Sequence, residues 1–331
     1  MAVPDYSFVV PVYNEEDNLE ELHRRVDAVM AKLDGPSEVL LVDDGSSDRS
    51  WELMLALNQR DPRWKALSLS RNFGHQIAIT AGVDHSRGRA VIIMDADLQD
   101  PPELALELAA RWREGYEVVY GIREERAEEP EWKKRSTHIY YRLLRRMTEL
   151  QIPADAGDFR LVDRKAVDAV GGLRESNRYL RGLFTWVGFR QIGVPYSRPG
   201  RHAGVTKYPF RKLAKLAADG VVSFSNVPLR MALNLGFLVS IGAFLVGIVS
   251  IALKLGGVFS PPGWASQVVF TSFLGGVQLI VIGVMGEYVG RIYEEVKRRP
   301  LYFLSDSRGI TAADANGRAE QRLPAPAAER P

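Results

Sequence analysis

Asp95 and Asp97, separated by one alanine, close the apolar run Ala90 to Met94, and two carboxylates on so tight a turn can converge on one hard cation. Oxygen ligands favour Mg²⁺ or Mn²⁺, which keep coordination positions open for phosphate oxygens. In isolation such a pair is common, and it would serve equally well as a cap for a helix beginning at Pro101-Pro102. Its company gives it weight. Asp43 and Asp44 close a second apolar run and Glu15 follows the first, so all these acids share one edge if the runs are parallel strands. Neither a G-x-G-x-x-G nor a Walker lysine loop stands in the corresponding position, so a glycine loop with a helix dipole is not the device that holds a pyrophosphate. An acid-held metal is the candidate for that task.

The elements that must position these acids follow from periodicity. Tyr6 to Val12, Val39 to Val42, Ala66 to Leu69, Ala90 to Met94 and Val118 to Tyr120 read as strands. Between them lie helical segments such as Glu15 to Leu33, with Leu19, Leu22, Val26, Val29 and Leu33 on one face. That alternation predicts βα units around a parallel sheet, whose ligand sits beyond the carboxyl ends of the strands. The residues expected there are Tyr13-Asn14-Glu15, Asp43-Asp44-Gly45-Ser46, Arg71-Asn72, Asp95-Ala96-Asp97 and Gly121-Ile122-Arg123, a polar and acidic set suited to a metal-bound, phosphorylated ligand.

The 331-residue chain is 46% hydrophobic with a formal net charge of +2. That allows a substantial core plus membrane-embedded surface, and the near-balance of charge argues against nucleic acid as a partner. With no cysteine, disulfides, thiolate metal sites and a cysteine nucleophile are excluded. Met1 to Asp5 show no basic segment leading into an apolar one, so a cytoplasmic N-terminal domain over residues 1–208 is expected. Within it, residues 131–150 interleave Lys133, Lys134, Arg135, Arg142, Arg145 and Arg146 with apolar side chains, the pattern of an interfacial helix or of a solvated basic face. A second basic amphipathic stretch, 209–230, leads into Met231 to Leu253, an uncharged run of roughly 34 Å as a helix. After a Gly/Pro-rich turn, Trp264 to Gly286 is a second such run. Arg211, Lys212, Lys215 and Arg230 precede the pair and Arg291, Lys297, Arg298 and Arg299 follow it, which predicts a transmembrane hairpin of an integral membrane protein with both termini cytoplasmic. Residues 287–308 are expected as a cytoplasmic juxtamembrane segment and 309–331 as a disordered tail.

Val10 to Glu15, Val42 to Asp48, Met94 to Pro102 and Gly157 to Leu161 together resemble the motifs of glycosyltransferase family 2. More narrowly they are similar to its polyprenyl-phosphate branch, which includes bactoprenol glucosyltransferases, dolichol-phosphate mannose synthases and the aminoarabinose transferase of lipid A modification. The similarity runs from about Tyr6 to Arg299, and the string from Asp95 to Pro102 is its most specific part. The resemblance implies an α/β GT-A fold, Rossmann-like with a mostly parallel sheet. It implies that Pro11, Tyr13, Glu15 and Asp43 meet the nucleoside, that Asp95, Asp97 and Gln99 hold metal and diphosphate, and that Arg123 meets a phosphate. Asp44, Arg71 and Ala96 complete the expected nucleotide-sugar site. Arg201 to Lys207 is similar to an Arg-x-x-Gly-x-Ser/Thr-Lys loop that grips the acceptor phosphate, which places Arg201 and Lys207 with Arg123 on the acceptor.

The resemblance also implies the reaction: inverting transfer of a hexose from a nucleotide diphosphate sugar to polyprenyl (undecaprenyl) phosphate at the cytoplasmic membrane face. A phosphate monoester with a second pKa of about 6 is largely a dianion at neutral pH and needs no strong base. Asp97 and Arg123 would then serve leaving-group neutralisation and anion gathering. Asp158 lies, by resemblance, near the reacting carbon, where it could finish deprotonation, stabilise oxocarbenium character or orient Arg160; a turn aspartate capping the next strand is its plainer reading. UDP-glucose is the donor expected first, with GDP-mannose, UDP-N-acetylhexosamine and aminoarabinose donors within the same resemblance. A processive synthase would carry Gln-x-x-Arg-Trp and more spans, and a non-catalytic lipid-binding or flippase-associated protein would not need the acidic edge. Self-association through the spans, as a homo-oligomer such as a tetramer, is a further implication, for which Gly236, Gly242, Gly247, Gly275 and Gly276 are the sequence hints.

Overall fold

A computed structural model describes residues 3–123, 156–197, 227–256 and 263–310. In chain order the strands are β1 (Tyr6–Val12), β2 (Ser37–Asp43), β3 (Trp64–Leu69), β4 (Ala90–Ile93), β5 (Val118–Arg123), β6 (Ala156–Asp163), β7 (Gln191–Tyr196) and β8 (Leu304–Arg308). They form one sheet ordered β7-β5-β6-β4-β1-β2-β3-β8. The parallel centre, β4-β1-β2-β3, is the one the periodicity predicts. β6 enters antiparallel between β4 and β5, and β8 closes the β3 edge antiparallel. The mostly parallel sheet with helices on its faces is a GT-A-like architecture.

Period-two burial assigns the strands to two cores. Phe8 and Val10 of β1 and Val39 and Leu41 of β2 pack with α1 (Leu19–Met30), α2 (Ser50–Arg60) and α4 (Leu104–Arg113), while Val42, Leu67 and Leu69 pack with Ala78 and Ala81 of α3 (His75–His85). Every residue of β1 is buried, as expected of a central parallel strand covered on both sides. α1 starts at Leu19 rather than Glu15, because residues 15–18 form a turn tied to the neighbouring loop: Glu15 N donates to Ser50 Oγ at 2.9 Å and Glu16 N to Asp48 Oδ2 at 3.2 Å. Asp95 and Asp97 do not cap α4, which begins at Leu104 with no side-chain cap.

The remaining described helices are α5 (Arg164–Gly171), α6 (Leu180–Trp186), α7 (Val227–Leu255) and α8 (Trp264–Val296). α7 and α8 belong to a second compact unit and pack on each other. Both are long and apolar enough to cross a membrane, with side chains such as Leu233, Phe244 and Leu279 exposed. At 33 residues α8 extends roughly 50 Å, beyond a hydrocarbon core of about 30 Å. The excess falls at its charged end, where Glu287 pairs with Arg291 at 3.0 Å. The stretch 287–308, expected as one juxtamembrane segment, therefore divides: the helix continues to Val296, and the chain then rejoins the first unit as β8. The stretches 131–150, 201–207 and 209–226 lie outside the described residues.

The return is anchored by burial and charge. Leu301, Tyr302, Leu304 and Ile310 complete the core around α3. Tyr302 donates to Asp84 Oδ2 at 3.0 Å, and Arg174 Nη1 donates to both Asp84 oxygens at 2.9 Å. Asp84 is only 4% exposed, so each of these bonds satisfies a carboxylate that water cannot reach. Substituting Tyr302→Phe keeps the ring and removes one donor, and is expected to destabilise the first unit by about 1–3 kcal/mol. Thermal unfolding of the purified full-length protein measures this; a midpoint equal to that of the unaltered protein would show that the bond contributes nothing.

Candidate active site

Register brings the decisive pair together. In the antiparallel ladder of β4 and β6, Ile93 faces Arg160, so two residues onward along β4 and two back along β6 lie Asp95 and Asp158. Asp95 Oδ1 is buried without a hydrogen-bond partner, with His75 Nε2 3.4 Å away. Burial, reinforced by the charges of Asp158, Asp97 and Asp100, pushes the Asp95 carboxyl up to about 6 even though His75 opposes the shift. An orphaned carboxylate oxygen amid like charges is a seat for a cation. Among the described residues no group of three or more His, Asp or Glu is arranged to enclose a metal ion. Asp97, two residues on, accepts Gln99 N at 3.1 Å across Leu98, whose φ of 53° is a strained value for a branched side chain.

Asp158 is the opposite case. Arg181 of α6 grips both its oxygens, Nε to Oδ1 at 2.7 Å and Nη2 to Oδ2 at 2.9 Å. His75 Nε2 stands 3.7 Å from Oδ2, and Arg160 Nη2 stands 3.9 Å from Oδ1. Burial alone would raise this carboxyl, but His75, Arg181 and Arg160 together hold it well below the usual carboxylate range. His75 responds in kind: burial disfavours its protonation, yet Asp158 and Asp95 keep it above the ordinary imidazole range. Arg160, 4% exposed, is lowered to about 10 by burial and still carries its charge at neutral pH. Asp158 lies within β6, so capping a turn is not its task.

Arg123, at the end of β5, is held in a third cluster. Its Nη2 donates to Asp100 Oδ2 at 3.0 Å and its Nε to Tyr196 Oη at 3.2 Å, while Tyr196 donates to Asp100 Oδ1 at 2.7 Å. Asp100 is 3% exposed and its carboxylate fixes the guanidinium, which is one-third exposed toward solvent.

The residues expected from sequence to meet the nucleotide sugar line the ends of β1, β2 and β3. Pro11 is buried in β1 and Tyr13 is exposed just beyond it. Asn14, with φ 54°, ties the loop to its neighbour by donating from its N to Ser46 Oγ at 3.0 Å and accepting from Ser47 N at 2.8 Å. Glu15 accepts from Asn18, and burial raises its carboxyl. Asp43 accepts from Ser46 N at 2.9 Å and from Ser68 Oγ at 3.1 Å. Asp44 spends its carboxylate on Phe73 N at 2.7 Å and Gly74 N at 3.0 Å, and so fixes the loop that carries Arg71 and His75. Gly45 lets that loop approach: a Cβ there would stand 2.8 Å from the Arg71 carbonyl carbon, and its φ of 73° suits glycine. Arg71 stacks over Phe73 at 4.1 Å. Ala96 is buried in the turn between the two aspartates.

The structure thus gathers Glu15, Asp95, Asp97, Asp158 and Arg123 at one sheet edge; Arg201 and Lys207 lie outside the described residues. His75 and Arg181 were missed from sequence. His75 opens a helix directly after the Arg71-Asn72 strand end, a position that sequence reasoning could have added to the set; Arg181, on a short helix far along the chain, left no such signal.

Related sequences place this geometry in a family. The Glycosyl transferase family 2 model matches residues 7–171. The uncharacterized glycosyltransferase YkcC of Bacillus subtilis is 49% identical over 305 residues, covering 92% of this chain and 94% of its own. The SfII prophage-derived bactoprenol glucosyl transferase of Shigella flexneri is 40% identical over 303 residues, covering 91% and 97%. The bactoprenol glucosyl transferase of Shigella phage SfV is 39% identical, covering 91% and 98%. The chain belongs to glycosyltransferase family 2, and it is a glycosyltransferase.

Because Arg181 binds both oxygens of Asp158, Arg181→Ala is expected to lower turnover by about 100-fold, the scale that a misplaced group costs an enzyme. Arg181→Lys, which supplies charge without the fork, should recover only part of it. Steady-state assays of both variants check this; a lysine variant as active as the parent would show that geometry at Asp158 is immaterial.

Proposed function

We propose that this enzyme transfers glucose from UDP-glucose to a polyprenyl phosphate, with inversion and with a divalent cation, at the cytoplasmic face of a membrane. The observation that carries this reading is the division of labour between two facing carboxylates: Asp158 has both oxygens gripped by Arg181, and Asp95 keeps a buried oxygen that accepts no hydrogen bond, with His75 Nε2 3.4 Å away. The acceptor class is supported by relatives named for bactoprenol glucosyl transfer, alike over nine-tenths of the chain, and by two helices suited to a bilayer.

Asp95 and Asp97 would hold Mg²⁺ or Mn²⁺, which supplies Lewis-acid neutralisation of the departing diphosphate. The chain's own residues do the rest. Asp43, Glu15, Pro11 and Tyr13 bind and orient the nucleoside, with Arg71 and Gln99 toward the diphosphate. Arg123, with Arg201 and Lys207, gathers the acceptor, whose dianionic phosphate attacks without a strong base. Asp158, both oxygens engaged by Arg181, is suited to face positive charge developing at the anomeric carbon rather than to take a proton. A single displacement then converts an α-linked donor into a β-linked lipid phosphate.

Purified enzyme should release UDP only when polyprenyl phosphate and Mg²⁺ or Mn²⁺ are both present, and chelation should abolish release. Asp97→Ala should reduce it by about 100-fold or more. Metal-independent release, or an Asp97→Ala variant of full activity, would remove the metal from the reading. A parallel screen with GDP-mannose, UDP-N-acetylhexosamine and aminoarabinose donors tests the sugar, and turnover of one of these in place of UDP-glucose would reassign it.

A further inference from the structure

We infer that Ser305, from the segment that follows the second apolar helix, is a positioning residue for the nucleoside side of the donor site. This rests on the reading of Asp43 as a nucleoside-binding carboxylate. Between β3 and β8 the pairing is regular except at one place: Ser68 faces Asp306 and Leu69 faces Leu304, so Ser305 is the extra residue of a β-bulge. A bulge leaves its residue out of the ladder and re-aims the side chain. Here the Ser305 hydroxyl turns onto β3, 3.0 Å from Ser68 Oγ and within 3.2 Å of the Ser68 carbonyl. Ser68 Oγ, 9% exposed as a residue, in turn donates to Asp43 Oδ2 at 3.1 Å.

The proton directions are consistent along the chain. Ser68 Oγ is the nearest of the three acceptors around the single Ser305 proton, the Ser68 and Leu69 carbonyls standing at 3.2 Å and 3.4 Å; Ser68 gives its own proton to Asp43, and Ser46 N fixes the other Asp43 oxygen at 2.9 Å. Without Ser305 the Ser68 hydroxyl loses a donor to its lone pair and a contact that sets its rotor, and Asp43, 3% exposed, takes one of its hydrogen bonds from that hydroxyl. Hydroxyl chains of this kind strengthen each member in a low-dielectric setting. The bulge therefore gives a segment remote in sequence a grip on the carboxylate that meets the donor. Ser305 touches no substrate; it acts through Ser68 on Asp43.

The test is UDP binding to the full-length protein in detergent, by calorimetry, with GDP as a second probe, together with donor kinetics. Ser305→Ala should weaken UDP by about threefold to tenfold, the range of one net hydrogen bond. The loss should appear in the donor KM rather than in kcat, and Ser305→Thr, which restores the hydroxyl, should recover it. Asp43→Asn should weaken UDP more, and adding Ser305→Ala to it should change nothing further, because the two act in one chain. If Ser305→Ala leaves UDP binding intact while Asp43→Asn weakens it, the positioning role is overturned and the nucleoside assignment stands. If Asp43→Asn itself leaves UDP and GDP binding intact, the nucleoside assignment falls and this inference with it. A Ser305→Thr variant as weak as Ser305→Ala would likewise overturn the role of the hydroxyl.

Discussion

Two negative charges at neighbouring strand ends, Asp95 on one and Asp158 on the other, are the constraint around which the site is built. Neither carboxylate can remain ionised and largely desolvated without a cation. The fold meets the two needs differently. Asp158 receives Arg181 in a two-pronged grip, with Arg160 behind it and His75 beside it. Asp95 receives no hydrogen bond at Oδ1 and is pushed up by burial, to which the negative neighbours around it add. One carboxylate is spent on preorganisation, and the other is held at a cost that a cation arriving with a diphosphate would relieve.

That asymmetry also limits what Asp158 can do. A carboxylate whose two oxygens are both occupied by a guanidinium has little basicity to offer, while its charge is fixed in place. Since the proposed acceptor brings its own negative charge, fixed charge is the more useful contribution. Arg123 has the same character. Asp100 and Tyr196 hold it before any ligand arrives, so little side-chain freedom would be lost on meeting the proposed acceptor phosphate.

The parallel half of the fold was legible because its strands are buried on both faces and announce themselves as apolar runs closed by acids. Glu15, Asp43, Asp95 and Asp97 follow directly from that pattern. β6, β7 and β8 were not legible. β6 alternates charge with apolar residues through Asp158, Phe159, Arg160 and Leu161, because its polar members serve the site rather than solvent. β8, Leu-Ser-Asp-Ser-Arg, has hardly any apolar content and exists as a strand only because β3 offers an open edge. Asp44 shows the same limit in the site itself. Its type and spacing match those of Asp43, yet its carboxylate is directed at the backbone of the next loop, a difference of side-chain direction that no spacing encodes.

β8 comes late in the chain, so the proposed donor side is completed late as well. The sheet's first seven strands precede α7 and α8, and the eighth follows them. Tyr302 and Leu304 enter the same core as Phe73, over which Arg71 stacks, and Ser305 reaches the hydroxyl that holds Asp43. During synthesis, therefore, the β3 edge and the core around α3 stay open until both apolar helices have been made. The proposed donor side and the two apolar helices are linked by chain order: a chain that ends before them lacks the strand that covers β3, and with it the packing of Tyr302 and Leu304 in the core with Phe73 and the contact of Ser305 with Ser68.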